Sequence, residues 1–152
     1  MTEVKRISFS ELKNWKECPY RHKLIHVDKI PYFEGNEFTA FGTAIHAVCE
    51  EIVPDPSKNA LEIFESNFLK ELTELKNQGK NLDQKLVTDM RKQASVICTQ
   101  ILPEVQKHFG SFEVVSVEEQ LLEPITEFDS YGKNFKGFID LTIKTPDGKH
   151  HI

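Results

Sequence analysis

The chain has 152 residues, 39% of them hydrophobic and 28% charged, with 11 Phe against 3 Tyr and 1 Trp. That suits one compact soluble domain with its own core and excludes a disordered, collagen-like or membrane-spanning chain. A net charge of -5 excludes a uniformly basic nucleic-acid coat, although residues 1–30 hold seven Lys/Arg against four acids, a local +3. Such a patch suits contact with phosphate; the plain alternative is an ordinary solvated helix face.

In chain order, Ser8-Phe9-Ser10-Glu11 is a capping-box pattern and predicts a short helix with Phe9, Leu12 and Trp15 on one side. Cys18-Pro19 interrupts it, and a second short helix is expected from Pro19 to about His26. Residues 28–38 read as a loop. Thr39 to Ile52 reads as a helix with Phe41, Ile45, Val48 and Ile52 at helical spacing. Pro54-Asp55-Pro56-Ser57 ends it. Ala60 to about Leu75 is amphipathic through Leu61, Phe64, Phe68, Leu72 and Leu75. Leu82 to about Phe109 is a long helix with Leu86, Met90, Ala94, Ile97, Ile101 and Val105 on one face and a kink expected at Pro103.

After Gly110 the texture becomes β-rich. Strands are expected from Phe112, from Pro124 and from Phe135 to Thr145, with Asp129-Ser130-Tyr131-Gly132 as a turn. Thr145-Pro146-Asp147-Gly148 is a hairpin turn, and Lys149 opens a further strand. Helices followed by an antiparallel β-meander make an α+β fold, a single domain over 1–152 that is helical over 1–110 and β-rich over 111–152.

Three positions carry potential chemistry. Asp140 sits mid-strand among apolar neighbours, where a carboxylate needs a partner or a metal; an edge-strand Asp facing water is the equal alternative. His46 follows the small residues Gly42, Thr43 and Ala44, which would let something approach the helix start; a packed helical histidine is the plainer alternative. Cys18 could supply a thiolate, but a buried thiol at a helix junction is the simpler reading, and Cys49 and Cys98 lack the spacing of a cluster. With no CxxC pair and no signal peptide, the cysteine usage is that of a reducing cytosol.

Three motifs, in order, resemble those of the RecB-type branch of the PD-(D/E)XK nuclease superfamily. Ser8-Phe-Ser-Glu-Leu-Lys-Asn-Trp-Lys-Glu-Cys-Pro-Tyr-Arg21 resembles the branch's opening motif, Phe41-Gly-Thr-Ala-Ile-His46 its Gly-x-x-x-His motif, and Lys136-Gly-Phe-Ile-Asp140 its Gly-x-x-Asp strand. Relatives of this type include phage exonucleases, AddB/RecB nuclease domains and CRISPR adaptation nucleases. The resemblance implies a partial restriction-endonuclease-like core and a metal-dependent DNA exonuclease acting in recombination, repair or phage DNA processing. It makes Asp140 a metal ligand and His46 a ligand or active-site histidine, with Mg²⁺ or Mn²⁺ as cofactor; a histidine ligand tilts the choice toward Mn²⁺. Glu119 matches an acidic position upstream, although Glu118 competes and by strand alternation points to the opposite face. Lys16, Arg21 and Lys23 are candidate DNA contacts.

The implied partners are DNA and a helicase or recombination protein, with no membrane, in the cytoplasm of a bacterial or phage-infected cell. The branch places an Asp/Glu-x-Lys tripeptide on the next strand, and residues 149–152 only open that strand. The expectation is therefore a C-terminally incomplete domain, inactive alone, with an iron–sulfur cluster unsupported. The competing reading is a nuclease-like module that binds DNA or protein without cutting.

Overall fold

The computed structural model describes residues 5–30, 35–126 and 133–152. Among them the fold is mixed α/β. In order it comprises β1 (Lys5–Ser8), α1 (Phe9–Glu17), α2 (Pro19–His22), a π-helical turn (Lys23–Val27), α3 (Glu37–Ile52), α4 (Ala60–Asn77), α5 (Gln84–Phe109), β2 (Glu113–Pro124), β3 (Lys133–Lys144) and β4 (His150–His151). The turn expected at 129–132 lies outside the described residues.

The strands form one sheet in the order β1-β3-β2, with β4 also on β3. β1 pairs with β3 in parallel, Lys5 opposite Lys133 and Ser8 opposite Lys136. β4 pairs with β3 antiparallel, Ile143 opposite His151. The sheet is thus mixed, because a first strand precedes the helices. Lys5-Arg6-Ile7-Ser8 carries almost no hydrophobic pattern, and its pairing is set by residues far along the chain.

The described residues fall into two compact units. One comprises Met1–Glu34 and Glu118–Asp140, the other Gly35–Val117 and Leu141–Ile152. In the first, Ser8 caps α1 by accepting from the Glu11 backbone N–H. Cys18 caps α2, its Sγ accepting from the Arg21 N–H, with Pro19 in the first turn where no N–H is needed. The chain then tightens into the π turn, closed by Asp28 N–H to Lys23 C=O. None of the residues in α1, α2 or this turn is buried. Polar contacts join them instead: Glu11 Oε1 to His22 Nε2 at 3.1 Å, Asn14 Nδ2 to His26 Nε2 at 3.0 Å, and His22 stacked on His26.

The second unit has an apolar core. α3 begins two residues earlier than its apolar spacing predicts, because Asn36 and Thr39 form a reciprocal capping box. Its buried stripe is Ala40, Ala44, Val48 and Ile52, so Phe41 and Ile45 lie at the flank and not at the centre. The alanines leave room for Phe64 and Phe68 of α4, whose rings are 5.0 Å apart. Phe41 meets both edge-on, at 5.6 and 6.0 Å. On α4, Leu61 is exposed while Phe64, Phe68, Leu72 and Leu75 are buried.

On α5 the buried face is Val87, Met90, Ala94 and Cys98, and the helix runs on through Pro103 to Phe109. Burying rings such as Phe64 and Phe68 contributes about 1.5–3 kcal/mol each. Leu141 of β3 packs on this core, and Thr142 and Ile143 are both buried, so strict alternation of faces ends there. The hairpin turn forms as expected, with Gly148 at φ +83° and its N–H bonded to Thr145 C=O.

Candidate active site

α3 presents two stripes. Ala40, Ala44, Val48 and Ile52 face the core. Gly42, His46 and Glu50, two residues out of phase with them, lie on the opposite side of the helix. A Cβ on Gly42 would meet nothing within 4 Å, so this glycine is not required by internal packing. It leaves bare the turn over which the His46 side chain leans. His46 is exposed and Glu50 half-buried, and His46 Nε2 lies 2.7 Å from Glu50 Oε1.

A carboxylate at i+4 fixes the orientation of an imidazole. Glu50 was not singled out by the motifs. Its spacing from His46 is the signal that could have found it. Both side chains offer ligand atoms suited to a divalent cation that accepts nitrogen and oxygen donors.

The other predicted site residues lie in the first unit. Asp140 is exposed on β3, sharing a strand face with Lys136 and the exposed ring of Phe138. The Lys136 Nζ sits 4.5 Å from the centre of that ring. Glu118 and Glu119 are both exposed on β2. Glu118 has φ +49°, a left-handed conformation that marks a break in regular strand geometry. The expectation that the two acids point to opposite faces therefore has no support at this position.

Lys16, Arg21 and Lys23 are exposed on the N-terminal helices. Arg21 pairs with Glu17 at 3.5 Å and Lys23 with Asp28, so a phosphate would compete with those acids.

The thiols have a different character. Burial pushes the Cys49 and Cys98 thiols above their ordinary value, which keeps them protonated and poor metal ligands. Cys98 Sγ lies 3.8 Å from Ala60 C=O. Cys18 is exposed, contrary to the expectation of a buried junction thiol, because its task is to cap α2.

The family model of the PD-(D/E)XK nuclease superfamily matches residues 6–152, nearly the whole chain. The chain belongs to this superfamily. Membership suggests a metal-dependent nuclease and implies hydrolysis of phosphodiester bonds, with DNA as the implied substrate. No curated protein matches the chain. Among the described residues, no helix is long and apolar enough to cross a membrane.

Proposed function

We propose that this superfamily member is a metal-dependent deoxyribonuclease, an exonuclease of the RecB-type branch. It would act in recombination, repair or phage DNA processing beside a helicase or recombination protein, in a bacterial or phage-infected cytoplasm. The observation that carries the reading is His46, 2.7 Å from Glu50 on the α3 face away from the helical core, at the position of the branch's Gly-x-x-x-His motif.

In this reading His46 and Asp140 hold Mg²⁺ or Mn²⁺, with a β2 carboxylate, Glu119 or its neighbour Glu118, as the further acid. The donors fit: imidazole nitrogen with carboxylate oxygens suits Mn²⁺ and is tolerated by Mg²⁺. When bound, the metal polarises the scissile phosphate and lowers the pKa of an attacking water. Glu50 orients the His46 ring. Gly42 leaves space beside it. Lys16, Arg21 and Lys23 neutralise phosphates and hold the DNA in register.

The test is Mn²⁺-dependent cleavage of linear single- and double-stranded DNA by the full-length protein. His46→Ala and Asp140→Ala should each abolish cleavage while leaving the thermal melt unchanged, since both side chains are exposed. Cleavage that survives both substitutions would sink the assignment. Salt-dependent DNA binding without any metal-dependent cleavage would favour a binding module.

A further inference from the structure

The strand that carries Asp140 shows an ordered succession of side-chain chemistry. At its start, β1 lies alongside in register and sets Arg6 opposite Asn134, which puts Arg6 on the strand face of Lys136. Two residues after Lys136 comes Phe138, and two further comes Asp140. All three share one face of β3 at about 7 Å per step. Phe138 is 52% exposed, and the Lys136 ammonium, 4.5 Å from the ring centre, lies over the ring. A large aromatic thus stands half exposed between a cation and an acid.

We infer that Phe138, with Lys136, is a seat for an unpaired nucleotide beside Asp140, so that the enzyme engages single-stranded or frayed DNA ends. Aromatic rings bind unpaired bases by stacking on their faces, whereas bases inside a duplex are already stacked and paired. Arg6 and Lys136 supply the phosphate attraction that such a path needs. A dry protein–protein patch is disfavoured, since it would have to bury the Lys136 charge. The seat deepens the nuclease reading. It depends on that reading for the position of the cut, but not for the stacking.

The experiment uses the full-length protein in EDTA, so that nothing is cleaved. The probes are a short oligothymidine bearing one 2-aminopurine and the matching duplex. The single strand should bind more tightly than the duplex, and its 2-aminopurine emission should fall on binding. Phe138→Ala should weaken single-strand binding roughly tenfold or more, the scale of one lost stacking ring, and leave duplex binding unchanged. Phe138→Trp should restore it. Phe138→Leu, which keeps apolar bulk without a π face, should behave like alanine and guards against misfolding. Equal loss on both probes, full binding by the leucine variant, or unquenched emission would overturn the seat. Asp140→Ala should still quench the probe. If that variant also still cleaves with Mn²⁺, the metal role of Asp140 falls while the seat stands.

Discussion

α1 and α3 begin alike, each capped by a polar side chain accepting from the backbone, yet α3 buries four residues and α1 none. The difference lies in what surrounds them. α3 meets two further amphipathic helices whose apolar stripes are long enough to enclose its own. Among the described residues α1 meets β1, short α2 and the π turn, and the Glu11–His22 and Asn14–His26 bonds hold it where apolar packing does not. Phe9 and Trp15 of α1 and Tyr20 of α2 remain 54–68% exposed. The core region spends its apolar residues on stability, while the N-terminal helices leave theirs, with their cations, facing solvent.

The sharpest way to break this comparison is to truncate one ring in each region. Phe64→Ala, in the fully buried cluster, should cost about 3–5 kcal/mol in denaturant unfolding. Trp15→Ala should stay within about 0.5 kcal/mol, as exposed positions do. Equal losses would mean that the N-terminal helices are packed in solution as tightly as the core.

The two faces of α3 can be separated in the same way. Glu50→Gln should weaken Mn²⁺ binding by calorimetry roughly 10–100-fold, as loss of a ligand-orienting carboxylate does, with little change in melting. Gly42→Ala should do the reverse. It should raise stability by up to about 1 kcal/mol, because alanine fits a helix better and its Cβ meets open space. If the bare face must admit substrate, the same change should slow cleavage.

The smallest effect is electrostatic. Lys149 and Thr145 hold the Asp147 carboxyl down at about 2, below its ordinary value of 3.8. A depressed carboxylate contributes stability that is present above the unfolded pKa. That contribution is lost as pH falls from near 4 through about 2. An NMR titration of Asp147 should find its midpoint in the lower part of that window, and Lys149→Ala should move it upward. An ordinary midpoint in the wild type would remove the turn's ion pair from the account.

Much was legible without coordinates. The helices over Glu37–Ile52, Ala60–Asn77 and Gln84–Phe109, the turn at Thr145–Gly148 and the cap at Ser8 follow from spacing, capping and turn chemistry, which act over a few residues. His46 and Asp140 stood out because a histidine beside small residues and an acid inside an apolar strand are locally anomalous. The centre of the α3 stripe was not legible. Ala40 and Ala44 are weakly apolar, and only the volume of Phe64 and Phe68 opposite makes them the residues of closest approach.

By itself, then, the amino-acid sequence determined the helices, the turn, the α-then-β order that follows β1 and the motif residues, because each depends on neighbours within a turn or two. Tertiary structure decided that Lys5–Ser8 is a strand, since its hydrogen-bond partners lie at Lys133–Lys136. It decided that Ala40 and Ala44 lie at the centre of the buried stripe of α3, and that Phe138 stays half exposed beside Asp140. Burial and long-range pairing depend on what the rest of the chain brings alongside, and local pattern does not encode that.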